Sequence, residues 1–441
     1  MNFEIDHILI WIYLLSILFI GITAKSPKTN IGYIYAGRKL TIPAFVATLV
    51  STWYGGILEI GRFSNQNGIS TWLVFGLFYY IAALIYARYI VDRISISNNG
   101  SIPTQFYNHY GKSSAIFAVI LVFLLASPAP YLKMLATILS YIWKIDSTTA
   151  LMIGVFFSTI YTLKGGFSSI VKTDFIQFLL MFLGFGYMAI YLYLNYGGID
   201  FLSSKLSSEM LSFPGKLNWT YILTWGFIAL ITFVDPNFYQ RVYSSSNIKN
   251  AKKGIYISVV FWFLFDIFSI TVGIYSAAIL PEIQFSPYID LAEQILPPLI
   301  KGFFIISILS IIMSTIDSFI FISGFTIGKD LVEISSRKES NIMHVRLGII
   351  ISGLFSMVLA IFFTNAIDIW YFTGSLTVPC LLVPLFFIYG NIQLKNAFLC
   401  IVFPGAVTCI WFIYGYPGID PMYPGLTTSL ILCLLNKNTI S

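Results

Sequence analysis

Long apolar runs follow one another along the whole chain and are separated by short polar stretches. A membrane-spanning helix needs roughly 20 apolar residues, and the longest polar stretch, residues 195–218, leaves no room for a separate soluble domain. The pattern predicts an all-α integral membrane protein with a single transmembrane domain over residues 1–441. We expect about 13 transmembrane helices, at 7–24, 42–62, 69–91, 113–141, 147–163, 170–194, 219–240, 254–280, 300–328, 343–363, 366–389, 396–416 and 425–436.

Composition supports the same class of protein. Hydrophobic residues make up 57% of the 441 residues and charged residues only 10%, which excludes an ordinary soluble globular protein. The four cysteines all fall in apolar segments without a CxxC spacing, so we expect buried thiols rather than disulfides or metal ligands: Cys380, Cys400, Cys409 and Cys433.

The basic residues predict the orientation in the membrane. With the N-terminus outside and the C-terminus in the cytoplasm, 19 of the 25 lysine and arginine residues fall in cytoplasmic loops. One such cluster joins Arg241 to Lys249, Lys252 and Lys253. The net charge of +6 is therefore a topology signal for a bacterial-type inner membrane, and it does not indicate a nucleic-acid partner.

Two of the predicted helices contain sequences that break a helix. Segment two has the pair Gly55-Gly56 flanked by hydroxyl-bearing residues, and segment seven has Pro236 directly after Asp235. An ordinary proline kink is one explanation. The five-segment spacing is instead typical of two inverted five-helix repeats, 42–194 and 219–389, each opening with a discontinuous helix. Segment 7–24 is then an extra N-terminal helix, and 396–436 holds the C-terminal helices.

Charged side chains inside the predicted spans are the first candidates for function, because a charge at mid-bilayer costs at least about 2.5–3.5 kcal/mol. A pair or a cap near a helix end is the alternative for any one of them. The carboxylates and the one lysine are Glu59, Asp174, Asp235, Asp266, Asp317 and Lys133.

The ninth segment carries oxygen atoms along one face. Ser310, Ser314, Asp317 and Ser318 follow the spacing of neighbours on a helix surface. Single serines in a span usually bond back to the preceding turn, but four oxygen-bearing residues on one face favour a cation site. Carbonyls freed by the break in segment two lie at a similar predicted depth.

Lys133 follows Pro128 and Pro130 and lies too deep for easy snorkelling. Its ammonium group needs a partner. Glu59, as a structural or gating pair, and a substrate carboxylate are the two alternatives, and the sequence leaves both open.

Several short motifs resemble those of the sodium/solute symporter family, which shares the five-plus-five inverted-repeat fold of the leucine transporter. They occur in the family's order, as YAGRKL at 35–40, SIPTQF at 101–106, TDFIQ at 173–177, QR at 240–241 and MSTIDS at 313–318.

The resemblance implies discontinuous first and sixth core helices and specific binding residues. It places Na+ between the carbonyl oxygens of Ser51, Tyr54 and Ile311 and the hydroxyls of Ser314 and Thr315. It implies a second cation or coupling site at Asp174, Asp317 and Ser318. The solute is expected near the breaks, and Glu59 and Asp235 are gate candidates. The expected solute-binding residues are Trp53, Gly55, Leu58, Lys133, Ile228, Ile231 and Thr232.

We therefore expect sodium-coupled symport of a small organic solute, an organic anion or an amino acid, into the cytoplasm by alternating access. Leu58 and Ile231 stand where sugar-carrying members have polar residues, which disfavours sugar. Proton coupling through Asp174 and Asp317, and a transporter-like sensor subunit, are the alternatives. No nucleophile–base arrangement indicates an enzyme. Partners beyond the solute, sodium and the lipid bilayer, including the oligomeric state, are left open.

Overall fold

The computed structural model describes residues 5–24, 27–96, 100–363, 365–415 and 419–438. The first half of the chain forms α1 Ile5–Thr23, α2 Ile42–Trp53, α3 Ile57–Asn67, α4 Leu73–Ile94, α5 Ile102–Leu125, α6 Ala129–Trp143, α7 Ser147–Gly165 and α8 Phe167–Tyr196. The second half forms α9 Trp219–Ile228, α10 Pro236–Ser244, α11 Ile248–Ile279, α12 Pro298–Phe325, α13 Ile342–Phe362, α14 Ala366–Tyr389, α15 Ala397–Tyr414 and α16 Met422–Leu435. Short helices between these are Asn30–Tyr35, Ile199–Lys205, Pro287–Ile295 and Val332–Ser336.

The described residues contain nine helices long and apolar enough to span a membrane, or ten if the bent pair α2–α3 is one span. The other three predicted segments are also helical, at α1, α7 and α16, but are shorter or less apolar. The membrane character of the chain is thus evident, whereas the count of thirteen spans stays a prediction.

Both predicted helix breaks are present. Helix α2 ends at Trp53 and α3 begins at Ile57 with a bend of 62°. Helix α9 passes into a 3-10 turn, Ala229–Phe233, before α10 starts at Pro236. Proline suits this first helical position because its missing N–H would have no partner there.

The fourth predicted segment, 113–141, is wrong in detail. The helical stretch runs from Ile102 to Trp143 and is divided between α5 and α6 by the residues before Ala129. Residues 102–112 are too polar for a hydropathy pattern to include them. Among the cysteines, Cys409 is exposed on the bundle surface rather than buried, and the other three are buried as expected.

Helix α12 lies at the centre of the bundle. Of its most apolar window, 94% is buried, against 39% for α8 and α13. Small residues allow this position, since a Cβ added at Gly184 would collide with Ser307 and one added at Gly348 would collide with the backbone of Gly324. The serine-rich face of α12 is therefore held inside protein, away from lipid.

Candidate functional site

The break between α2 and α3 meets the middle of α12 through hydroxyl groups. Thr315 Oγ1 is 2.9 Å from the carbonyl oxygen of Thr52, to which it donates, and 3.1 Å from that of Ile311. The carbonyl of Tyr54 accepts from the N–H of Ile57 at 2.9 Å and closes a turn across the break. The side chain of Tyr54 points away, toward Asp266 at 2.9 Å.

Ser314 joins three helices at one oxygen atom. Its Oγ is 2.8 Å from Ser51 Oγ on α2 and 2.7 Å from Asp174 Oδ1 on α8. A serine hydroxyl has one proton and two lone pairs, so it can donate to only one of these acceptors at a time. Ser51, Ser314 and Thr315 are all fully buried.

Hard cations are bound by oxygen ligands, and this junction concentrates hydroxyl and carbonyl oxygens in the protein interior. The five residues expected to bind sodium lie on two segments that the fold brings into direct contact here. Freed backbone groups at membrane depth are tolerated where they line such a site. The arrangement is suited to a monovalent cation.

The residues expected to form a second cation site do not all converge. Asp174 accepts a hydrogen bond from Thr48, and Ser318 Oγ lies 3.1 Å from Thr52 Oγ1. Asp317 instead accepts a hydrogen bond from Tyr161 on α7. Neighbouring residues on a helix point about 100° apart, so Asp317 and Ser318 face different partners.

Arg241 is the functional candidate that sequence reasoning missed. The sequence pattern predicts that Arg241 lies in a cytoplasmic loop, but it lies in α10 and is 0% exposed. Its Nη2 lies 3.8 Å from Asp174 Oδ2 and donates to Ser318 Oγ at 2.7 Å. The mean hydropathy falls around Arg241, so the hydropathy pattern does not indicate a buried position there. Its position five residues after Pro236, within the second part of a broken helix, was the available signal.

Aromatic rings surround both breaks. The Trp53 ring packs against those of Trp262 and Tyr79, at centroid distances of 4.9 and 5.2 Å. A Cβ added at Gly55 would lie 2.6 Å from the Tyr131 ring and from the Thr315 methyl group. Glycine is therefore required where the backbone approaches these groups closely.

Two buried polar groups lie close to the breaks, one from α14 and one from the turn of the second break. Trp370, whose ring centroid is 5.6 Å from that of Tyr131, would collide with a Cβ at Gly56. In the described part of the chain, Trp370 Nε1 and Thr232 Oγ1 are buried without a hydrogen-bond partner. Buried polar atoms normally have one, so both are available to a bound solute. Tyr131 and Trp370 were not predicted from the sequence.

Comparison with known proteins identifies the family. Residues 33–390 match the model of the sodium:solute symporter family. The chain belongs to this family.

Similar symporters cover most of the chain. The sodium/proline symporter of Haemophilus influenzae is 25% identical over 75% of this chain and 71% of its own. The high-affinity proline transporter of Bacillus subtilis is 26% identical over 94% of both. A solved Na+-coupled sialic acid symporter, in a substrate-bound outward-open state, superposes with a TM-score of 0.83 over 99% of both chains at 17% identity, which shows the shared fold.

Membership of this family confirms the expected type of protein and its fold. The protein is a multi-pass membrane transporter and not an enzyme, it has the expected inverted-repeat fold, and it couples a small organic solute to sodium. Na+ is thus the coupling ion, which displaces the proton-coupled alternative. The sensor-subunit alternative loses its support, since the similar proteins are carriers.

The ion pair between Glu59 and Lys133, one of the two alternatives for Lys133, is not formed in this symporter. Glu59 Oε1 lies 3.3 Å from Arg62 Nη1, one turn along α3, rather than beside Lys133. Lys133 is two residues beyond Tyr131, so it projects about 200° around α6 from the face that meets the break. Of the two alternatives for Lys133, the pair with Glu59 is therefore not formed in this structure, where Glu59 pairs with Arg62 instead.

The remaining expected residues lie at or beside the two breaks. Leu58 is buried in α3, and Ile228 ends α9. Ile231 and Thr232 belong to the 3-10 turn, and Ile231 faces Gly374 of α14. Asp235 caps α10, accepting from the N–H of Asn237 at 2.9 Å, so in this structure it stabilises a helix start.

Proposed function

We propose that the coupling sodium binds where the break of α2 faces α12. Its ligands are the carbonyl oxygens of Ser51, Tyr54 and Ile311 and the hydroxyls of Ser314 and Thr315. The observation that carries the proposal is the direct contact of Ser314 and Thr315 with residues 51 and 52 at the end of α2. A sodium ion here would link the broken helix to the central helix.

The solute is proposed to be a small zwitterionic amino acid of the proline type. Similar proteins carry proline, and the breaks are bordered by the rings of Trp53, Tyr131 and Trp370, which suit a compact apolar body. The unpartnered donors Trp370 Nε1 and Thr232 Oγ1 would serve its carboxylate. An organic anion held by Lys133 is less well supported, because Lys133 lies on the other face of α6.

Transport is proposed to be import into the cytoplasm of a bacterial-type cell. The repeats 42–194 and 219–389 would rock about the two breaks in alternating access. The N-terminus lies outside and the C-terminus inside in this proposal, which rests on the distribution of basic residues.

Uptake into proteoliposomes tests the function. Radiolabelled L-proline should accumulate when an inward sodium gradient is imposed, and should not when potassium replaces sodium or when a proton gradient alone is imposed. Unlabelled amino acids, monocarboxylates and sugars added in excess would define the solute class. Sodium-driven accumulation of a radiolabelled monocarboxylate, with none of L-proline, would contradict the zwitterion proposal while leaving sodium coupling intact.

A further inference from the structure

Arg241 occupies a chemically specific position between four helices. Its side chain is fully buried and comes from α10, the second part of the second broken helix. Its guanidinium donates to oxygens on α2, α10 and α12 and faces a carboxylate on α8. The donor–acceptor distances are 2.9 Å to Thr48 Oγ1, 3.3 Å to Thr48 O, 2.9 Å to Thr52 Oγ1, 2.7 Å to Ser318 Oγ and 2.9 Å to Asn237 Oδ1.

The oxygens around Arg241 Nη2 form the kind of ligand set that a hard cation takes. Three hydroxyls and one carbonyl lie within hydrogen-bond distance of this one nitrogen, and Asp174 provides the negative charge at 3.8 Å. Two of these residues, Asp174 and Ser318, belong to the group from which a second cation site was expected. The guanidinium of Arg241 already places a positive charge among these residues.

We propose that Arg241 is a tethered cation that takes the place of a second coupling ion. The inference deepens the proposed sodium coupling, since it sets the number of sodium ions bound. With the guanidinium in place, the Asp174–Ser318 cluster is neutralised and filled, and the symporter binds sodium only at the Ser314–Thr315 junction. The expectation of a second bound cation at Asp174, Asp317 and Ser318 is replaced by this internal charge.

The cluster also connects the internal charge to the sodium site. Asp174 accepts from Ser314 with one oxygen and lies nearest Arg241 with the other. When Ser314 Oγ binds sodium through its lone pairs, its proton is left for Asp174. Because Arg241 pairs with Asp174, that carboxylate remains a hydrogen-bond acceptor. Arg241 on the broken helix and sodium at Ser314 therefore favour the same hydrogen bond, from Ser314 to Asp174.

A purely structural ion pair makes a different prediction. Removing one partner of a buried pair leaves the other charge uncompensated and destabilises the protein, but this alone adds no cation site. If Arg241 stands in for an ion, removing its charge should open the cluster to sodium. The number of bound sodium ions therefore separates the two roles.

The test is equilibrium dialysis of 22Na+ against purified full-length protein in detergent, without solute. Wild type is expected to bind one sodium, Arg241→Gln one more than wild type, and Arg241→Lys the wild-type number. Adding Asp174→Asn to Arg241→Gln should remove the extra ion. Arg346→Gln is the matched control, because Arg346 donates to the carbonyl of Leu163 at 2.8 Å, outside the cluster, and should not change the count.

Two results overturn the inference: two sodium ions in wild type, or no added ion in a folded Arg241→Gln protein. A wild-type count of two overturns the inference even if Arg241→Gln fails to fold. A wild type that binds none, with Arg241→Gln binding one, would instead remove the proposed Ser314–Thr315 site and leave the role of Arg241 supported.

Discussion

At the scale of single residues, the protonation of one hydroxyl connects the ion site to the rest of the molecule. Ser314 has one proton for two acceptors, Ser51 and Asp174. A bound cation would decide between them, because it repels the proton and attracts the lone pairs. With sodium bound at the proposed site, Ser314 would donate to Asp174 on α8 rather than to Ser51 on α2.

Lys133 gives a prediction at the same scale. Because its side chain leaves α6 on the face opposite Tyr131, we expect Lys133→Gln to retain most of the sodium-driven L-proline uptake. The half-maximal proline concentration should stay within roughly threefold of wild type, below the cost typical of losing a charged hydrogen bond. Glu59→Gln should behave alike, since Glu59 pairs with the exposed Arg62. Abolished uptake in Lys133→Gln would restore the ammonium group as a solute ligand.

Sequence reasoning reached several residues of this site and missed others for a physical reason. Ser314 stands out because hydroxyls on one face of an apolar helix are unusual, and Asp174 because a carboxylate in a span is costly. Thr315 follows from the resemblance to the family. Tyr131 and Trp370 do not stand out, since aromatic residues are common throughout this chain. The sequence predicts a loop at Arg241 because a charged residue in a locally polar stretch is typical of a loop. Only the tertiary fold shows that its side chain is buried.

At the scale of elements, the two breaks were predictable and their surroundings were not. Gly55-Gly56 and Pro236 forecast the interruptions from local backbone chemistry alone. The helical stretch Ile102–Trp143 was underestimated, because its first turns are polar and so escape a hydropathy test, although residues such as Gln105 and Phe106 are buried in the protein. Contacts between distant segments, such as that of Thr315 with Thr52, are set by the bundle as a whole.

The first break predicts a strong effect of one methyl group. We expect Gly55→Ala to lower the initial rate of L-proline uptake by roughly tenfold or more, because the new Cβ would lie 2.6 Å from Tyr131 and Thr315 in a close-packed interior. Gly186→Ala is the matched control, a buried helical glycine whose added Cβ would first meet Phe268 at 3.5 Å. Equal rates for both variants, at equal amounts in the membrane, would show that the break tolerates displacement.

At the scale of the whole molecule, α12 organises transport by its position. It is enclosed by the other helices, and it contacts the broken helix, α8 and α10 through Thr315, Ser314 and Ser318 respectively. A rearrangement at either break must therefore alter contacts with α12. The fold makes this central helix the common reference for both halves of the proposed cycle.

The orientation of the bundle gives a prediction for the complete chain. Because basic residues concentrate on one predicted side, we expect the region around Lys437 to be cytoplasmic. A green fluorescent protein fused at the C-terminus should fluoresce in bacterial cells, and alkaline phosphatase fused there should be inactive. The opposite pair of results would show that the C-terminus is outside. The cytoplasmic and outer sides assigned to the bundle would then be exchanged.

The central claim is that sodium binds at the contact between the break of α2 and α12. It is tested most directly by the sodium dependence of L-proline uptake in Ser314→Ala and Thr315→Ala proteoliposomes. Ser323→Ala is the control, a buried serine of the same helix whose hydroxyl donates to the carbonyl of Phe123. We predict that both site variants raise the half-maximal sodium concentration several-fold while the control matches wild type. An unchanged sodium dependence in both site variants would contradict the account.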